Sequence, residues 1–300
     1  MREIKILIVL VVFTAALYWG VEPFAHSQMH PHVEEAEYSF KDVDGLNGMS
    51  GDAANGATLV QSNCTACHSI ESQGFPAMMD DASNAASYGV VPPDLGSAGF
   101  LYDQNYLAAF IKNPAKATKT EHKFEGGKVH PMPGYDWMQP QEIADMVSYL
   151  VSIAPKEMTN REVFKDACNR CHSMKYDGMK TIKDAENGVY KEGLVARTPK
   201  ENITAYMGKL PPDLSQFTRS RSDQYLHEFI NNPQKHLEGT AMPRVGLKED
   251  TEKQVVKYLE EVGEVKKAER EALGPKFLIY LVIFAILAWA WKAKIWREVH

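Results

Sequence analysis

Cys64-Thr65-Ala66-Cys67-His68 and Cys168-Asn169-Arg170-Cys171-His172 are the two stretches that decide how this chain is read. Between them they hold all 4 cysteines of the 300 residues, so no thiol is left over for a structural disulfide. Two thiols separated by two residues and followed at once by an imidazole form the attachment pattern for c-type haem. The cysteines add across the two vinyl groups of the macrocycle, and the histidine sits under the iron as its proximal ligand. A thioredoxin-like thiol pair or a zinc site would account for the cysteines alone. Neither accounts for a histidine at the same offset twice. The reading is therefore two covalently attached haem c groups, with Cys64, Cys67, Cys168 and Cys171 as attachment residues and His68 and His172 as iron ligands.

Outward from each motif the chain repeats itself, which predicts two tandem copies of one structural unit. Pro92-Pro93-Asp94-Leu95 returns as Pro211-Pro212-Asp213-Leu214. Phe110-Ile111-Lys112-Asn113-Pro114 returns as Phe229-Ile230-Asn231-Asn232-Pro233, with Tyr106-Leu107 and Tyr225-Leu226 at matching places before it. Met132-Pro133 returns as Met242-Pro243. Each copy closes on an amphipathic helical pattern, Ile143, Met146, Val147 and Leu150 in the first and Val255, Val256 and Leu259 in the second. The copies differ by insertions: one around Lys119 to Val129 in the first, and a longer loop around Asp184 to Lys209 in the second. Such loops cost little.

The sixth iron ligand decides the chemistry. Met132 and Met242 are each followed by proline, in loops that precede the last helix of each unit. A thioether there raises the reduction potential and closes the iron to substrate. Core packing is the ordinary use of a methionine, and Met138 and His130 in the first unit and Met207 in the second are rival ligands. The reading takes Met132 and Met242. Catalytic residues are none: the sequence shows no phosphate-binding glycine loop, no nucleophile elbow and no spare cluster of metal ligands. The chain is read as an electron-transfer protein with no catalytic site beyond the haems.

Composition agrees. A hydrophobic share of 44% and a charged share of 24% are globular values. A net charge of −6 argues against a nucleic-acid partner. A mean hydropathy of −0.34 excludes a polytopic membrane protein but leaves room for anchors on a soluble body.

Both ends supply such anchors. Ile6 to Val21 carries no charge except at its flank, where Arg2 and Lys5 precede it. It reads as an uncleaved anchor, with a cleaved signal peptide as the alternative. Phe277 to Trp291, bracketed by Lys276 and Lys292, reads as a second span, extended by snorkelling lysines toward the roughly 20 residues a bilayer needs. Flanking Arg2, Lys5, Lys292, Lys294 and Arg297 place both termini in the cytoplasm and the body outside. Covalent haem attachment needs an exported compartment, so the expected location is a bacterial inner membrane with the haem domains in the periplasm. The organisation is thus an anchor over 1–25, a solvated linker over 26–49, units over 50–154 and 158–262, a charged stalk over 263–275 ending at the break Gly274-Pro275, and a transmembrane helix over 276–296. His26, His30 and His32 in the linker are read as solvated rather than as a metal site.

Leu210-Pro211-Pro212-Asp213-Leu214-Ser215, followed by a Met-Pro and a C-terminal anchor, resembles cytochrome c1, the haem subunit of the quinol–cytochrome c reductase (cytochrome bc1) complex. The duplicated body with two anchored ends resembles the dihaem cytochrome c subunit of such complexes in epsilonproteobacteria. The resemblance implies a mainly α fold of two tandem cytochrome c-like domains between N- and C-terminal transmembrane helices. It implies cytochrome b and the Rieske iron–sulfur protein as partners, a soluble cytochrome c or an oxidase as acceptor, and contact with membrane lipid. Competing readings are a dihaem subunit of a cbb3-type oxidase, a free-standing anchored electron carrier, and a dihaem peroxidase.

Overall fold

The structure is a computed structural model and describes residues 2–29, 36–181 and 199–299. Most of the loop inserted in the second unit, and His30 and His32, lie outside the described residues. The chain is mainly helical. Among the described residues β structure is limited to isolated bridges.

The first unit is built on α3 (Ala53–Asn63) and α8 (Pro140–Ile153). Asp52 caps α3 by accepting from the Ala54 amide at 2.8 Å. Pro140 at the first turn and a Gln139–Glu142 capping box start α8. Between them run α4 (Asp81–Tyr88), α5 (Ala98–Leu101), α6 (Gln104–Lys112) and α7 (Pro114–Ala117). The two long helices cross in close contact: a Cβ on Gly56 would stand 1.9 Å from the Asp145 carbonyl oxygen. Val60, Ile70, Leu107, Ile111, Met146, Val147 and Leu150 fill the space between them.

The second unit repeats the plan. Here α9 (Asn160–Ala167), begun by a Thr159–Glu162 capping box, faces α14 (Glu249–Gly263). α10 (Pro199–Met207), α11 (Phe217–Ser220), α12 (Asp223–Asn231) and α13 (Pro233–His236) stand where α4 to α7 stand in the first. Its core holds Val163, Phe164, Leu226, Ile230, Val255, Val256 and Leu259, together with Leu101 from the first unit. The helical patterns read from the sequence are the helices that close each core.

The units share an interface. Tyr102 and Leu247 form an antiparallel bridge, flanked by Lys248 N–H donating to Leu101 O and Asp103 N–H donating to Gly246 O, both at 3.0 Å. Thr251 Oγ1 donates to Leu101 O at 2.8 Å.

The structure corrects the linker reading. Residues 37–46 are a packed strap, not a solvated connector. Phe40 is 1% exposed and sits with Tyr106, Ala109 and Ala117. Tyr38 Oη donates to Glu252 Oε1 at 2.6 Å in the second unit. Apolar side chains scattered in a polar stretch have no period, so the sequence hides what each buries individually.

The ends also depart from expectation. α1 (Arg2–Ala16), a π-helical turn (Leu17–Val21) and α2 (Glu22–Met29) form one helical run past the expected anchor limit. The charged stalk is broken at residues 264–266, and α15 (Lys267–Val299) then runs through Pro275 without interruption. Gly274-Pro275 is therefore no break. Proline removes one helical hydrogen bond, which neighbouring turns can absorb. Ile4–Gln28 and Lys267–Arg297 are long and apolar enough to cross a membrane, and neither buries its apolar window against the body.

Candidate haem-binding sites

Each attachment motif begins where a helix ends. Cys64 is the C-cap of α3 and Cys168 the C-cap of α9. The turn that follows brings His68 N–H to Cys64 O and His172 N–H to Cys168 O, both at 2.9 Å. The two cysteines and the histidine of each motif thereby project from a single turn of chain. None of the four cysteines is joined to another in a disulfide. Burial pushes the Cys64 and Cys168 thiols up to about 12, so before attachment both are neutral thiols.

The repeated Pro-Pro-Asp-Leu segment now has a task. His68 Nδ1 lies 2.8 Å from Pro93 O, and His172 Nδ1 lies 2.9 Å from Pro212 O. A carbonyl can only accept, so each Nδ1 carries the proton and each Nε2 keeps its lone pair for a metal. Burial lowers the His68 pKa, which favours the neutral ring a ligand must be. The aspartate holds this carbonyl in place. Asp94 accepts from the amides of Glu71 (2.9 Å) and Gly96 (2.8 Å), and Asp213 from those of Lys175 (3.0 Å) and Ser215 (3.2 Å). Burial opposes ionisation of Asp213, but these bonds outweigh it and hold its carboxyl below the usual range. Leu95 N–H donating to Ser69 O and Leu214 N–H donating to Ser173 O tie the segments to their motifs. The sequence marked these prolines and aspartates as repeats without revealing their work, because a backbone carbonyl leaves no residue-type signal.

Met132 and Met242 are both partly buried in loops ahead of the closing helices. Met132 packs against the first core, and its amide donates to His130 Nδ1 at 3.1 Å. The Met242 amide donates to Thr240 Oγ1 at 3.3 Å. Of the rivals, Met138 is 6% exposed and part of the first core. His130 packs edge-on to Phe124 with centroids 4.9 Å apart. Met207 ends α10, its carbonyl accepting from Lys123 Nζ at 3.0 Å. Paired thiols, an Nδ1–carbonyl contact on each histidine and a proline-flanked thioether in each unit fit a covalently held haem in both.

Residues beside the two motifs meet across the units. Tyr88 Oη lies 4.0 Å from Cys67 Sγ. A Cβ on the neighbouring Gly89 would stand 2.7 Å from Tyr206 Cβ. Tyr206, whose hydroxyl pKa is raised first by burial and then by the nearby Cys171, lies tilted against Phe124 with ring centroids 6.1 Å apart. Arg170, inside the second motif, donates to Val91 O of the first unit at 3.4 Å.

One comparison with known proteins falls on the first unit. Residues 53–154 match the family model for cytochrome c. A curated relative, a cytochrome c-553-like protein of Synechocystis sp., is 24% identical over 111 residues, covering 37% of this chain and 78% of its own. A chain of a solved hyperthermophilic respiratory Complex III is 26% identical with a TM-score of 0.34, over 47% of this chain and 75% of that one. The chain thus carries a cytochrome c domain over residues 53–154, and with it covalent haem c and electron transport.

Proposed function

We propose that this chain is a membrane-anchored dihaem cytochrome, taking electrons from a Rieske protein and passing them to a soluble cytochrome c or an oxidase as a subunit of a quinol–cytochrome c reductase. The observation that carries the dihaem reading is the repeated proximal geometry. His172 meets Pro212 O as His68 meets Pro93 O, in a second unit with the same order of helices. Bound haem supplies a one-electron ferric–ferrous couple. The chain's own residues do the rest. Cys64, Cys67, Cys168 and Cys171 would fix the macrocycles, and His68 and His172 would each offer a ring nitrogen to the iron. Met132 and Met242 would each offer a thioether to the iron, which would favour its reduced state.

Apposition of the Cys67 and Cys171 sides through Tyr88, Gly89 and Tyr206 supports exchange between the two sites. The two apolar helices support anchoring in a bacterial inner membrane with the body in the periplasm and both termini in the cytoplasm. The assignment to a reductase rests on the resemblance of the second unit and its anchor to cytochrome c1.

Purification of the native protein from detergent-solubilised membranes tests both parts. A pyridine haemochrome assay on the denatured, acid-acetone-washed chain should return two c-type haems, and a count of one would end the dihaem reading. Cytochrome b and a Rieske protein should co-purify. Isolation of the chain by itself would favour a free-standing carrier, and terminal-oxidase companions a cbb3-type subunit.

A further inference from the structure

Met132 and Met242 occupy matching places, yet their loops are held by different means. In the first unit the anchors are local. His130 accepts from the Met132 amide, Tyr135 N–H donates to Ile111 O at 3.1 Å, and Gly134 lies against Lys112 O. All of these partners belong to the first unit.

In the second unit Arg244 stands where Gly134 stands in the first, and its partners lie elsewhere. It is 3% exposed. Its amide donates to Thr118 O at 3.0 Å, and its carbonyl accepts from Tyr106 Oη. Its Nη1 lies 2.8 Å from both carboxylate oxygens of Asp42. Its guanidinium covers the Phe40 ring at 4.6 Å. Thr118 and Tyr106 belong to the first unit, and Asp42 and Phe40 to the strap. Lys119 of the first unit shares Asp42 at 2.9 Å. Just beyond, Gly246 takes a left-handed φ of 74° and lies so close to Tyr106 that a Cβ would meet its ring at 2.0 Å.

We propose that Arg244, clamped by Asp42 and Phe40 of the strap, is the positioning residue for Met242. The loop carrying the second thioether is then held by the strap and the first unit in addition to the Thr240 contact of its own unit. This rests on the reading of Met242 as a ligand. Pro243 alone separates the two residues, and its locked φ transmits any movement of Arg244 to Met242. Without Asp42 the buried guanidinium loses its counter-charge, and the loop must move to hydrate it.

The test uses the full-length holoprotein. Ferric protein is titrated with imidazole, which takes the sixth position when a thioether leaves, and each haem's potential is measured in parallel. Met242→Leu identifies the affected haem. In Arg244→Ala and Asp42→Asn that same haem should bind imidazole at a concentration lower by about tenfold or more, with a lowered potential, while the other haem is unchanged. Arg244→Lys keeps the charge and should fall between wild type and alanine. If Met242→Leu alters neither haem, the ligand reading fails and this inference with it. If Met242→Leu opens one haem while Arg244→Ala and Asp42→Asn titrate as wild type, the ligand reading stands and the positioning role is overturned. Should Arg244→Ala fail to accumulate, Asp42→Asn decides alone, because the Asp42 side chain is 44% exposed and its replacement removes no core packing.

Discussion

Single atoms set what each site can do. The Pro93 and Pro212 carbonyls choose the tautomer of the proximal imidazoles, and the thioethers proposed opposite them set the potential. Met132→His and Met242→His should each lower the potential of one haem and leave the other in place, as redox titration of each variant would show. If Met242→His leaves both potentials unchanged, the second ligand is another residue. A different residue governs whether the first site forms at all. Gly56 lets α3 approach α8 with no room for a methyl group. Gly56→Ala should destabilise the first unit by about 3 kcal/mol or more, read as a lower unfolding midpoint in denaturant. The paired cysteines and the histidines after them stand out in the spacing because the attachment chemistry proposed for them fixes their types. Gly56 and Gly246 do not, since what matters there is which backbone or ring lies opposite, and that is known only once the helices are packed.

At the scale of elements, the duplicated helices were readable from their apolar periodicity and from repeated landmarks. The strap was not, because Tyr38, Phe40 and Leu46 each bury alone among polar neighbours. Its contact with α14 carries a pH dependence. Glu252 is 1% exposed, and burial raises its carboxyl above the ordinary 4.5, with hydrogen bonds from His227 and Tyr38 opposing and Glu228 adding to the rise. A raised folded value means that the native state favours the protonated acid. That contribution is full below pH 4.5 and is lost as pH rises through the folded value. Glu252→Gln should therefore gain thermal stability over wild type at pH 7 and lose the advantage near pH 4.5. An equal effect at both values would show that ionisation of Glu252 is not the cause. Asp42 runs the other way. Burial would raise it, but Arg244 and Lys119 hold it below 3.8. The strap's grip on Arg244 is thus lost only as pH falls through that lowered value.

The whole molecule is a body whose two units lean on one another, flanked by two helical runs that touch neither core. Apolar length revealed both runs in the sequence, whereas the continuity of α15 through Pro275 emerged only from the structure. Ile4–Gln28 and Lys267–Arg297 leave their apolar windows with no share buried. Surface of that kind requires lipid or another chain to cover it. One span suffices to hold a protein on a membrane, so a second is surplus to tethering and free to make specific contacts. Deleting residues 274–300 should leave a chain that stays membrane-bound through its first span. The residues proposed to hold haem all lie before the cut, so the haem content should be unchanged. What should be lost is company: the truncated chain should no longer co-purify with cytochrome b and the Rieske protein. Release into the soluble fraction would mean that the first segment is a cleaved signal. Co-purification with full reductase activity would place the assembly contacts on the body between the two helical runs, where the exposed Trp137 and Met78 would be the first side chains to substitute.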